Sequence, residues 1–116
     1  MDSFTHPISR QLRTIALALP ETSEGTSCVN RAFRVRKKNF LFVGERQSSV
    51  RIMVKLTTSL EAAEALADPR VVVGKHGWVT INFAVDDALD LEQLTTWAHE
   101  SFRALAPKAV VKQLDG

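Results

Sequence analysis

A chain of 116 residues, 45% hydrophobic and 24% charged, has the size and balance of one soluble globular domain, expected here over residues 1–116. No apolar run approaches the roughly 20 residues of a membrane helix, and Met1-Asp2-Ser3-Phe4 lacks the basic and apolar regions of a signal peptide. The single cysteine, Cys28, has no partner for an internal disulfide. A cytoplasmic protein with no membrane partner is therefore expected. Net charge is only +2, but residues 1–60 hold 10 Lys/Arg against 4 Asp/Glu, whereas residues 61–116 hold 5 against 9. That asymmetry favours an anionic partner for the first half.

Along the chain, Ile8, Leu12, Ile15, Ala16 and Leu19 recur at helical spacing after Pro7, which suits a first helical turn. Pro20 disfavours helical geometry at Leu19, so the helix should end there. The polar stretch Glu21-Thr22-Ser23-Glu24-Gly25-Thr26-Ser27 reads as a loop. Phe33-Arg34-Val35-Arg36 alternates as a strand, with its arginines on one face. Lys37-Lys38-Asn39 is the expected turn into Phe40-Leu41-Phe42-Val43, which is apolar throughout and reads as central. A longer turn spans Gly44 to Ser49. Val50-Arg51-Ile52-Met53-Val54-Lys55 then alternates with Arg51, Met53 and Lys55 outward. In a sheet with one covered face, Arg34, Arg36, Arg51 and Lys55 share the exposed one.

Thr58 and Glu61 have the spacing of a capping box for a second helix. It runs through Ala62-Ala63-Glu64-Ala65-Leu66 and should stop at Asp68-Pro69. Val71-Val72-Val73 and Val79-Thr80-Ile81-Asn82-Phe83 flank Gly74-Lys75-His76-Gly77-Trp78, a hairpin whose glycines allow positive φ angles. A third helix is capped by Asp90, with Gln93 at its third position and Leu89 placed to staple to Leu94. Leu91, Leu94, Ala98, Phe102 and Leu105 line one side, and Pro107 ends it. The order α-β-β-β-α-β-β-α contains no repeated strand-helix-strand unit. It predicts an α+β fold, a mainly antiparallel sheet of about five strands with helices packed on one face.

Catalysis needs a nucleophile with a base, paired carboxylates or a metal set. His6, His76, His99 and Cys28 are scattered, and no two have the usual metal-ligand spacing. His99 and Glu100 are neighbours on a helix and face different sides of it. The sequence holds no phosphate-binding glycine loop, dinucleotide fingerprint or Gly-x-Ser-x-Gly elbow. A non-enzymatic protein without metal or cofactor is expected.

What remains is a basic, partly aromatic surface. With Val79, Ile81 and Phe83 inward, Trp78, Thr80 and Asn82 face outward, which sets Trp78 among the arginines and beside Lys75 and His76. Lys and Arg neutralise phosphates, and an indole can stack on a base. The candidate nucleic-acid-binding residues are Arg34, Arg36, Lys37, Lys38, Arg51, Lys75, His76 and Trp78. A merely solvated face, with Trp78 covering the sheet, is the other reading that spacing alone allows.

The runs Arg31-Ala32-Phe33-Arg34-Val35, Gly74-Lys75-His76-Gly77-Trp78-Val79 and Ser101-Phe102-Arg103-Ala104-Leu105-Ala106-Pro107-Lys108, with the Leu19-Pro20-Glu21 start, resemble the MmcQ/YjbR family over about residues 8 to 108. The Lys-His-Gly-Trp block is the most specific of these. The resemblance implies a small bacterial α+β domain with a double-wing arrangement, and DNA as its partner. Its shared positions are Phe33, Arg34, Lys75, His76, Gly77, Trp78, Pro107 and Lys108. The chain departs at Arg31, where the family often has proline, and in its basic Arg36-Lys37-Lys38 turn. The wider fold group includes frataxin-like proteins, whose iron binding needs an acidic first helix. The first helix here has no Asp or Glu, which argues against iron. The rival function is a non-catalytic small-anion or protein-binding module built on Lys75, His76 and Trp78. A monomer is expected in either case.

Overall fold

Pro7 opens α1 (Pro7–Leu17), and His6 caps it by accepting from the Ile8 amide through Nδ1 at 3.1 Å. In this computed structural model, which describes residues 4–27 and 30–115, the helix stops at Leu17 rather than Leu19. Cys28 and Met1-Asp2-Ser3 lie outside the described residues.

The polar stretch expected as a loop is a strand, β1 (Thr22–Ser27), antiparallel to β2 (Asn30–Val35). Its inward positions are polar because hydrogen bonds and ion pairs hold them. Thr22 Oγ1 donates to the Ala16 and Leu19 carbonyls, each at 2.8 Å. Glu24 lies between Arg13 and Arg31, at 2.8 and 2.7 Å. An edge strand anchored in this way needs no apolar alternation, so periodicity misses it.

A two-residue turn, Arg36-Lys37, leads into β3 (Lys38–Glu45), so Lys38 and Asn39 belong to a strand rather than to the expected turn. β4 (Ser49–Lys55) follows, then α2 (Leu60–Ala65), β5 (Val71–Val73), a 3₁₀ turn at Lys75–Gly77 and β6 (Trp78–Ala84). The sheet has six strands, one more than expected, in the order β1-β2-β3-β4-β6-β5 with every neighbouring pair antiparallel. α1 and α3 (Leu91–Leu105) pack together on one face of it, while α2 packs against β5. A further helix, α4 (Lys108–Asp115), follows Pro107. It is anchored by fully buried Val110 and by an Arg103–Asp115 ion pair of 2.6 Å.

Leu41, Val54, Val79 and their inward neighbours meet Leu12, Ala16, Leu94, Ala98 and Phe102 from the helices in one core. One irregularity sets its shape. The β2–β3 register runs Phe33↔Leu41 and then Arg34↔Asn39, which leaves Phe40 without a partner. Such a bulge lets two consecutive side chains turn inward. Phe40 and Leu41 are both fully buried, and the Phe40 ring meets Phe102 edge-on at 5.4 Å. The β3–β4 ladder stops at Leu41↔Val54. Beyond it, buried Ser101 of α3 donates from Oγ to the Phe40 carbonyl and accepts there from the Lys55 amide at 2.8 Å.

Glu100, the next residue along α3, accepts from the Thr57 and Ser59 amides at 2.7 and 3.0 Å and from Ser59 Oγ at 2.6 Å. It replaces the expected Thr58–Glu61 capping box: Ser59 is the N-cap of α2 and makes no capping bond of its own. α2 is short, ending at Ala65 well before Asp68-Pro69. The Asp90 cap forms as expected, its Oδ1 accepting from the Gln93 amide at 3.2 Å.

The hairpin tip is fastened to this same region. The Gly74 amide donates to the Trp78 carbonyl at 2.7 Å, and the Leu56 amide donates to the Gly77 carbonyl at 2.8 Å. Gly77 has the positive φ expected of it, +83°, and a Cβ there would lie 2.6 Å from the Leu56 carbonyl oxygen. Left-handed backbone and close approach both demand glycine.

Three outcomes follow for stability. Gly77→Val should cost about 2 kcal/mol or more and lower the thermal midpoint by several degrees; an unchanged midpoint would show that the tip has another way to fold. Ser101→Ala leaves the Phe40 carbonyl and the Lys55 amide without their partner, a loss of about 1–3 kcal/mol that a denaturant titration reads directly. The Glu100 carboxyl gives a pH signature. Burial works against its ionisation, but the Ser59 hydroxyl and the Ser59 and Thr57 amides outweigh burial and hold its pKa below the ordinary 4.5. Because folding lowers this pKa, the stabilisation is complete above the unfolded value and is lost as pH falls through the folded one. Glu100→Gln should thus melt below the parent at pH 7, with the gap closing as pH drops below about 4. A gap that is constant with pH would contradict the assignment.

Candidate nucleic-acid interface

The helices leave one face of the sheet open. Strand pairing lines up Ala32, Phe42, Met53, Thr80 and Val72 across it as adjacent outward residues. Phe42, Met53 and Thr80 are half-buried, and Val72 at the β5 edge is 52% exposed. Trp78 stands across from Lys55, and its ring centre lies 5.9 Å from that of Phe42 at a 58° tilt. Beside this apolar band are three cations. Arg34 Nε donates to Asn39 Oδ1 at 3.3 Å, and Arg51 Nε donates to Asn82 Oδ1 at 3.1 Å. Lys55 is half-buried, with its Cγ close to the space over Gly77. Among the described residues none of the three is in an ion pair.

The strand carboxylates turn away from this face. Glu24 is held between Arg13 and Arg31 on the helix side. Glu45 accepts from the Thr5 and His6 amides at 2.9 and 2.8 Å, ahead of α1. Burial opposes the ionisation of Glu45, yet the two amides prevail and keep its pKa below the ordinary value. Outward strand positions are therefore cationic, neutral or apolar, and none is acidic.

Of the residues singled out from sequence, Arg34, Arg51 and Trp78 lie on the open face, as their alternation requires. Lys75 and His76 sit beside it at the tip, exposed and without a side-chain partner among the described residues, and His76 has left-handed backbone at φ +58°. Arg36, Lys37 and Lys38 are elsewhere. The strand ends at Val35, Arg36 takes φ +54° in the turn, and its guanidinium is bound to Glu21 at 2.8 Å. That bond comes first among the causes that lower the Glu21 pKa, and Gln113 of α4 donates to the same carboxylate at 2.6 Å. Lys37 and Lys38 border a cleft of about 490 Å³ at the end of α3, which Leu105 and Pro107 also line. Strand alternation does not extend through the Arg36-Lys37 turn, and Lys38 begins β3 opposite inward Val35, so this trio leaves the face.

Two residues of the face had no place among the candidates. Lys55 has the right parity for it. Phe42 is concealed in an all-apolar run, where only the bulge at Phe40 decides which phenylalanine faces out. Among the described residues, no group of three or more His, Cys, Asp or Glu could hold a metal, and no helix is long and apolar enough to cross a membrane.

No curated protein matches the chain. The YjbR family model matches residues 17–104, a span that contains all six strands, the hairpin tip and nearly all of α3. The match covers well over half of the sequence, and the chain belongs to the YjbR family.

Proposed function

We propose that the chain is a DNA-binding protein, not an enzyme, and that it binds through the open sheet face with the Lys75-His76 tip at its edge. The observation that carries this reading is the charge on the face: Arg34, Arg51 and Lys55 without a carboxylate among the outward strand positions. A phosphate meets these cations without first breaking an ion pair, and counterions released from the nucleic acid supply the driving force. Few contacts, made to the phosphodiester backbone, imply weak binding with little sequence preference. The small-anion reading draws support from Lys75 and His76, which are exposed and unpartnered at the tip. The two readings differ in footprint. Nucleic acid spreads over the face, whereas a small anion perturbs only the tip.

Titration of a labelled duplex at several salt concentrations tests this. Affinity should fall steeply with salt, and Arg51→Ala and Lys55→Ala should each reduce the slope by about one. Arg36→Ala should leave the slope unchanged, because Glu21 already holds that guanidinium. Lys75→Ala and His76→Ala should melt like the parent and bind more weakly. Absence of binding at low salt, or binding indifferent to salt, would sink the proposal.

A further inference from the structure

We infer that the open face takes single-stranded nucleic acid in preference to duplex, a reading that rests on the DNA-binding function proposed above. The reason lies in what occupies the middle of the face. Phe42 and Trp78 are half-buried, 5.9 Å apart between ring centres, with Met53 paired beside Phe42. An aromatic ring on an open sheet face can meet the flat side of a base only when that base is unstacked. A duplex keeps its bases stacked inside and presents phosphates, so the aromatic pair gains nothing from it. A single strand can splay its bases onto the rings while its phosphates reach the cations around them.

The cations stand where such a strand needs them. Lys55 ends β4 and Arg51 lies four residues before it, about 13 Å away, with Met53 between them. Arg34 is on β2, about 10 Å from β4 by two strand spacings, and the Phe42 strand runs between. Charge therefore borders the apolar centre on two sides. Reading a duplex groove takes a protruding helix or a two-stranded ribbon. α1 and α3 pack on the other face and α2 against the edge strand β5, so none of these helices is presented on the open face.

The test compares a mixed-sequence 20-nucleotide single strand with the duplex of the same sequence, both at low salt with the unaltered chain. Anisotropy reads affinity, and tryptophan fluorescence reads stacking. Trp97 is 3% exposed in the core, so quenching on binding reports Trp78. The single strand should bind at least ten-fold more tightly and quench Trp78, whereas duplex should leave the fluorescence nearly unchanged. Phe42→Leu keeps the sheet covered but removes a ring, and should weaken single-strand binding five-fold or more with duplex affinity within two-fold. Duplex binding as tight as single-strand binding would overturn the inference and leave the DNA-binding function standing. Binding to neither would overturn that function itself. Single-strand preference without quenching would overturn the aromatic platform, and this readout needs no variant, so a Phe42→Leu chain that fails to fold does not blunt the test.

Discussion

The hydroxyl of Ser101 joins two strands where their own ladder stops. By donating to the Phe40 carbonyl and accepting from the Lys55 amide, it lets a bulge exist in the core without orphaned backbone groups. The bulge in turn decides the two faces of β3. Phe40 and Leu41 both go inward, and Phe42 is thereby aimed at the open face beside Trp78. A slip of one residue in a strand exchanges its faces, so this one buried contact determines whether the open face has an aromatic centre.

The same turn of α3 extends that control to the hairpin. Glu100 gathers the Thr57 and Ser59 donors, Ser101 holds Lys55, and Leu56 between them donates to Gly77. Lys55, Trp78 and the Lys75-His76 tip are thus placed by one rigid helix through a few backbone bonds. Sites supported in this way keep their geometry better than sites on free loops.

Charge is organised by removal. The first sixty residues have an excess of cations, yet several of those cations are used internally: Arg13 and Arg31 by Glu24, and Arg36 by Glu21. At the far edge, Arg70 holds the half-buried Asp68 carboxyl down at about 2 through its guanidinium hydrogen bonds, and it reaches Asp87 as well, at 3.6 Å. Among the described strand residues the cations left unpaired are Lys38, at the start of β3, and Arg34, Arg51 and Lys55 on the open side. A sequence-level charge count points to an anion but not to the residues that meet it.

Features that depend on near neighbours in the chain were legible in the sequence. The α+β class, the apolar stripes of α1 and α3, the Asp90 cap and the positive φ of Gly77 all arise from contacts within a few residues. So does the outward parity of Arg34, Arg51 and Trp78, because a strand alternates with period two wherever it is regular. Other features needed partners far along the chain. β1 is a strand because Arg13, Arg31 and the end of α1 satisfy its polar side, and Glu100 caps α2 from 41 residues away. Arg36 is taken by Glu21 across a hairpin, and Phe40 bulges because Ser101 reaches it over 61 residues. Local propensity has no access to such partners. Only the folded chain brings them within hydrogen-bond reach, and it is there that the membership of the open face is decided.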